Sequence, residues 1–186
     1  MTRMRPRELT TERLRLDAVV PADADDVLEY CSDAILQAFV PVPVPYTRET
    51  AEGYVTGYAE NAPMLWAIRA LDGPRMLGVI ELMPEPPGSA ELGYWLGTEH
   101  RGSGIMSEAI RAVVDFGLAA GGADLTRISW CAVVGNVASA RAARAAGFHY
   151  EGERRRAMPH RDERRDGWFA SLLRDDDRAP QDGWPV

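Results

Sequence analysis

Apolar positions along this chain recur at two spacings, and the changes between them delimit its elements. In "ERLRLDAV" (12–19) Leu14 and Leu16 alternate with Arg13 and Arg15, the two-residue period of a strand. Pro21 suits the first turn of a helix, and "ADADDVLEYCSDAILQAF" continues it with Val27, Leu28, Cys31, Ile35 and Phe39 as one apolar stripe. The alternating prolines of "VPVPVPY" then force extended backbone. Thr47 can cap the next helix, with Glu49 near its positive end and Val55 and Tyr58 on its apolar side.

Strand patterns follow at 64–71 and 75–83, joined by "DG", a hairpin signal, and a fourth strand is expected at 90–97. Ile105, Met106, Ala109, Ile110, Val113, Val114 and Phe116 recur at helical spacing, with Glu108, Arg111 and Asp115 opposite them. "RISWCAVV" (127–134) reads as a fifth strand. "NVASARAARAAG" reads as a short helix with Asn136 as N-cap and Gly147 just past its end. Strands near 148–157 and 167–174 complete the pattern, and "DDDRAPQDGWPV" is expected to be a solvated extension.

The segment from 90 to 134 is long enough for a crossover, so the fourth and fifth strands should run parallel. The remaining connections predict antiparallel pairing. The expectation is one α/β domain over residues 9–174, a mixed and mostly antiparallel sheet with helices on both faces, followed by a C-terminal tail at 175–186.

Composition narrows the chemistry. At 186 residues, 46% hydrophobic and 26% charged, the chain suits one globular domain. A net charge of −7 and a pI near 5.0 argue against nucleic-acid binding. All 21 basic residues are Arg, which excludes a Walker Lys, a Schiff-base Lys and a Lys general base. Cys31 and Cys131, with His100, His149 and His160, share no metal-ligand spacing, so no metal is expected. The opening "MTRMRPRELTTERLRL" has no apolar run of signal-peptide type, and no membrane-spanning run occurs; a cytoplasmic setting is the expectation.

"EHRGSGIMSEAIRAVVDF" (99–116) places an Arg and two close glycines directly in front of an amphipathic stretch. Such turns hold phosphates because unpaired N–H groups and the helix dipole converge there, although a plain tight turn has the same residues. The third glycine of a dinucleotide fingerprint is absent, since Gly102 and Gly104 are followed by Ser107.

Around that turn the chain resembles the GNAT superfamily of acyl-CoA-dependent N-acyltransferases, specifically its RimJ/RimL-like ribosomal-protein branch. The matching blocks are "LTTERLRLDAV", "PYTRETAEGYV", "WAI", "LGVIEL", "AELGYWLGTEHRGSGIMSEAI", "NVASARAARAAGF", "EGERR" and "DGWFASLLR", in order over about residues 9–174. Arg101, Gly104 and position 106 occupy the family's pyrophosphate motif. Met106 departs from the small residue usual there, and "GIMSEA" is similar to the RimL-like branch.

The resemblance implies acetyl-CoA as acyl donor and no metal. Its pyrophosphate would rest on Arg101, Gly102, Ser103, Gly104, Ile105, Met106 and Ser107. Its pantetheine arm would pair with Tyr94, Trp95 and Leu96 in the manner of a strand, with one N–H supporting the tetrahedral oxyanion, and Gly93 and Gly97 permitting a bulge. Asn136 would contact the cofactor as well as cap its helix. Many members supply a thiol-protonating Tyr four residues before the Gly of "GF"; here that residue is Ala143, and Ser139 is the branch's alternative donor. Against these stand ordinary roles: packing aromatics, a plain N-cap, a surface Ser.

An amine nucleophile must be neutral, and an α-amino group titrates near 7.7–8.0, so it asks less of a base than Lys does. Glu91 is the candidate base, or else a strand-edge charge. Phe39 and Tyr46 are the candidate acceptor contacts. Arg141 and Arg144 could reach the nucleotide end, and the basic 153–165 segment reads as a solvated hairpin. The expected acceptor is a protein or peptide α-amine; a small-molecule amine, or a non-catalytic acyl-CoA-binding domain, are the alternatives. No nucleic-acid or membrane partner is expected, and the chain would be a monomer or homodimer.

Overall fold

The computed structural model describes residues 6–186; the start of the polar N-terminal stretch, residues 1–5, lies outside them. The strands are β1 (Leu9–Thr10), β2 (Leu14–Asp17), β3 (Leu65–Ala70), β4 (Met76–Glu85), β5 (Ser89–Leu96), β6 (Arg127–Val133), β7 (His149–His160) and β8 (Glu163–Leu173). They form one sheet in the order β1-β2-β3-β4-β5-β6-β8-β7. Every neighbouring pair is antiparallel except β5–β6. These are the segments expected to pair in parallel. They are fifth and sixth rather than fourth and fifth because the two-residue strand β1 precedes them.

Helices cover both faces. Helices α1 (Ala24–Cys31), α2 (Ala34–Phe39), α3 (Arg48–Gly53) and α4 (Ala59–Asn61) lie between β2 and β3, with a π turn at Tyr54–Tyr58 joining the last two. Val27, Cys31, Ala51, Val55 and Ala59 pack there with Leu65, Ala67, Met76 and Val79 of the sheet. On the other face, α5 (Ile105–Leu118) and α6 (Val137–Ala145) cover Leu14, Ile68, Ile80, Leu92, Ile128 and Trp130. Of the stripe its spacing predicted, Ala109, Ile110, Val113 and Val114 are buried in α5, Ile105, Met106 and Phe116 are partly buried against them, and Leu118 joins the buried set. Each fully buried Val, Ile or Leu contributes about 1.5–3 kcal/mol.

Three expectations change. The helix anticipated from Pro21 through Phe39 is broken at Ser32–Asp33. Asp33 takes an extended conformation and its carboxylate caps α2 by accepting from Ile35 N and Leu36 N. The stripe therefore restarts out of phase: Leu36 is buried, while Ile35 is 57% exposed. Second, β5 pairs with β4 in unbroken register from Ser89 to Leu96, so "GYWLG" makes no bulge. A Cβ on Gly97 would lie 2.5 Å from the Tyr30 ring, and on Gly93 3.0 Å from the Met83 methyl; these glycines admit neighbouring side chains.

Third, the C-terminal tail is not a solvated extension. Trp184 is 9% exposed, packs its ring at a tilt against Trp130 and Tyr150 with centroids 5.4 Å apart in each pair, and donates its indole N–H to Phe148 O at 3.2 Å. One large aromatic ring outweighs the polar residues around it.

Candidate active site

The parallel pairing of β5 and β6 runs only from Ser89/Arg127 to Leu92/Trp130. Beyond it, Gly93–Leu96 pairs with β4 alone, and its other edge is an open strand edge. That edge leads into a cleft of about 600 Å³ bounded by α2, the turn before α5 and the start of α6.

At the far end of the cleft, Gly102 and Gly104 have φ of +74° and +79°, and Gly104 is the N-cap of α5. Only glycine holds this left-handed backbone at no steric cost. A Cβ at Gly102 would meet nothing, and one at Gly104 only Arg13 Nη2 at 3.4 Å, so conformation selects these glycines. Gly104 O accepts the first helical bond, from Glu108 N at 3.1 Å. The N–H groups of Ile105, Met106 and Ser107 precede any acceptor in the helix and emerge at its positive end.

The turn is braced from outside. Glu108 accepts from Thr11 Oγ1, from Arg13 N at 3.0 Å and from Arg13 Nε at 2.7 Å, while Arg13 Nη1 donates to Ser103 O at 3.2 Å. Ser103 Oγ donates to His100 O at 2.7 Å. Apart from Ser103, whose polar atoms hold the turn, every residue assigned to the cofactor by resemblance lines this one cleft: Tyr94, Trp95, Leu96, Arg101, Gly102, Gly104, Ile105, Met106, Ser107 and Asn136. The Arg101 guanidinium folds back, donating to Leu96 O and, at 2.8 Å, to Asp33 Oδ2.

Ser139 also lines the cleft. Asn136 Oδ1 accepts from Ser139 N at 3.3 Å, the expected N-cap, and sets Ser139 on the first turn of α6. Ser139 Oγ lies 3.0 Å from Tyr94 Oη and accepts from Trp130 Nε1 at 3.3 Å. Ala143 is fully buried in the core.

Glu91 is on the other face of the sheet. Even-numbered Ala90, Leu92 and Leu96 point toward α5 and α6, and odd-numbered Glu91 points away from them. Burial raises its carboxyl pKa above the usual range, partly offset by a hydrogen bond with the Cys131 thiol. That thiol is itself pushed up to about 12, first by burial and then by the Glu91 charge, so it stays protonated as the donor. On the same face Glu81 accepts from Tyr58 Oη at 2.8 Å and Glu85 from Ser129 Oγ at 2.8 Å.

Phe39 lines the cleft from α2; Tyr46 does not, and instead shares a hydrogen bond with Cys31 in the opposite-face cluster. Arg141 faces the cleft, whereas Arg144 turns to the tail and donates to Gln181 O at 2.8 Å. The basic segment forms a long hairpin, with β7 and β8 running to either side of Arg161 and Asp162. Sequence reasoning missed Asp33, which accepts from Thr98 Oγ1 and Arg101 Nη2, both at 2.8 Å, and so joins two walls of the cleft. Its signal was legible: "SDAILQ" is an N-cap Asp ahead of a new apolar period. Among the described residues, no three His, Cys, Asp or Glu side chains gather as a metal ion would need.

A mixed sheet that opens beside a glycine-capped helix fits the acyltransferase fold that the resemblance implies, and comparison with known proteins agrees. The acetyltransferase (GNAT) domain model matches residues 13–149. The chain belongs to the GNAT acetyltransferase family. It is 31% identical over 139 residues to YjcK of Bacillus subtilis, named as a probable N-acetyltransferase, covering 71% of this chain and 76% of that one. It is 34% identical over 70 residues to the ribosomal-protein-serine acetyltransferase of Escherichia coli, covering 37% and 38% of the two chains. The solved structure of RimL, a ribosomal L7/L12 α-N-protein acetyltransferase in complex with coenzyme A, superposes with a TM-score of 0.77 at 25% identity. That match covers 92% of this chain and all of RimL.

Proposed function

We propose that this acetyltransferase uses acetyl-CoA to acetylate a primary amine, most specifically the α-amine of a protein or peptide N-terminus. One observation carries the reading: a single cleft joins the open edge of β5, the left-handed glycines ahead of α5 and the Ser139 hydroxyl. Those are what a pantetheine amide, a pyrophosphate and a thioester sulfur each require.

The residues fit the group. Backbone groups of Tyr94, Trp95 and Leu96 would take the pantetheine arm as an added strand. The N–H groups from Gly102 to Ser107, with the α5 dipole, would hold the pyrophosphate without a Lys. Acetyl-CoA supplies the activated acetyl group. Arg101, held by Asp33 and Leu96 O, adds positive charge beside the turn. Ser139 is the hydrogen-bond donor to the leaving sulfur, a role a neutral hydroxyl can fill as charge develops.

The acceptor would approach from the other face, through the gap between β5 and β6. Glu81, Glu85 and Glu91 give that face a negative surface suited to an amine. Glu91, with a carboxyl pKa already raised by burial, takes the amine proton there, directly or through water. The likeness to ribosomal-protein acetyltransferases supports a protein N-terminus as acceptor.

The test is thiol release from acetyl-CoA with a panel of peptides, polyamines, amino acids and aminoglycosides. Turnover with peptides bearing a free α-amine, abolished by N-terminal blocking, is expected. Turnover with small amines only would refute the peptide assignment. Tight acetyl-CoA binding with no turnover across the panel would point to a binding module.

A further inference from the structure

Two hydroxyls and one indole meet beside the cleft, and their hydrogen count is constrained. Trp130 Nε1 donates to Tyr94 Oη at 3.0 Å and to Ser139 Oγ at 3.3 Å. An indole N–H donates and never accepts, so it occupies a lone pair on each oxygen and takes no proton back. Two hydrogens remain, one per hydroxyl. Ser139 Oγ donates to Tyr94 Oη at 3.0 Å, and Tyr94 Oη donates to the Ser139 carbonyl oxygen, also at 3.0 Å.

Tyr94 Oη is therefore equidistant from both oxygens of Ser139. Turning the phenolic O–H from the carbonyl to Oγ moves no heavy atom. Once it has turned, the Ser139 hydrogen loses its acceptor on Tyr94 and is free to point into the cleft that both residues line. The pair is a two-position hydrogen-bond switch, with Trp130 as its fixed point. Trp130 is 1% exposed and packs at a tilt against Trp184, their ring centroids 5.4 Å apart, so that point does not drift.

We infer that Tyr94 is the positioning residue for Ser139, its phenolic O–H deciding whether the Ser139 hydroxyl is held inward or donates to the thioester sulfur in the cleft. This rests on the reading of Ser139 given above and adds to it. Ala143, at the α6 position where the resemblance implies a thiol-protonating Tyr, is sealed in the core; the phenol beside Ser139 comes instead from β5. No proton leaves Tyr94 in this step. Burial pushes its hydroxyl pKa up to about 12, and it acts as a neutral donor throughout.

The experiment is a double-mutant cycle on Tyr94→Phe and Ser139→Ala, with kcat and acetyl-CoA KM measured on the best acceptor from the panel. Tyr94→Phe removes one oxygen and keeps the ring. Tyr94→Phe removes the O–H that must donate to Ser139 Oγ to turn its hydrogen toward the sulfur, so each single variant should lower kcat about 10-fold with KM within twofold of wild type, and the double variant should fall no further than Ser139→Ala alone. A Tyr94→Phe kcat within twofold of wild type, beside a damaged Ser139→Ala, would overturn the positioning role and leave the Ser139 reading standing. Multiplicative losses would also overturn it, because Tyr94 would then act independently. An unimpaired Ser139→Ala would refute the Ser139 reading itself. If Tyr94→Phe fails to fold, Trp130→Phe, which removes the shared N–H, takes its place in the cycle with the same non-additivity expected.

Discussion

Asp33 fastens one wall of the cleft to another through a single carboxylate. It accepts from Ile35 N at 3.1 Å and Leu36 N at 3.2 Å within α2, and from Thr98 Oγ1 and Arg101 Nη2, both at 2.8 Å, beyond the end of β5. Asp33→Ala removes all four. Loss of the cap costs about 1 kcal/mol. The two cross-links add about 1–2 kcal/mol, a modest figure because the Arg101 and Asp33 side chains are 31% and 21% exposed. The total, about 2–3 kcal/mol, corresponds to a fall in Tm of about 4–12 °C for a domain of this size. A six-residue helix does not sustain itself, so α2 should fray and take Leu36 and Phe39 off the cleft, raising the KM for acetyl-CoA.

Asp33→Asn separates the two contributions, since Asn caps as well as Asp, and it should recover about 1 kcal/mol. Burial by itself would raise the Asp33 pKa. The hydrogen bonds from Thr98, Ile35, Arg101 and Leu36 outweigh it and leave the carboxyl below its ordinary value. A depressed folded pKa gives stability that is complete above the unfolded value of about 3.9 and is lost as pH falls through the folded value. Urea unfolding should therefore show a gap between wild type and Asp33→Asn that is constant from about pH 5 to 7 and narrows below about pH 4. A gap undiminished at pH 3, or an Asn variant as unstable as the Ala variant, would refute this account.

Two further outcomes follow from the geometry. Gly104→Ala forces a side chain into φ +79° with only Arg13 Nη2 nearby, so its cost is conformational, about 1–2 kcal/mol. Thermal unfolding should show that loss, and the KM for acetyl-CoA should rise more than kcat falls. Trp184→Ala should cost about 3–5 kcal/mol, measured by chemical denaturation, because the ring is buried against Trp130 and Tyr150; a loss under about 0.5 kcal/mol would restore the picture of a solvated tail.

Much of the fold was legible because its signals are local. The α5 stripe, the Thr47 and Asn136 caps and the "DG" hairpin follow from residues a few positions apart, and the crossover between β5 and β6 from the length of the segment joining them. The errors came where a local signal met a distant one. An apolar stripe ran on through Asp33 because its period nearly survives the break. The tail was read by its Asp and Pro content, whereas one Trp placed it. In the cleft, the turn and Ser139 could be found from motifs. That Tyr94, 45 residues away, completes the Ser139 hydroxyl's hydrogen bonding could not.

The sequence by itself determined the chemistry on offer: a Lys-free phosphate turn, a hydroxyl in the first turn of a short helix, a carboxylate on the strand before the turn, and an α/β order that admits one parallel pair. Tertiary structure alone decided which of these meet. Strand alternation puts Tyr94 and Glu91 on opposite faces of the sheet, and the end of β5–β6 pairing at Leu92 leaves the edge of Gly93–Leu96 open to the cleft that Tyr94 lines. Local propensity depends on neighbours along the chain, but proximity across a sheet depends on register and on where the pairing stops, and those are set by the packing of the whole domain.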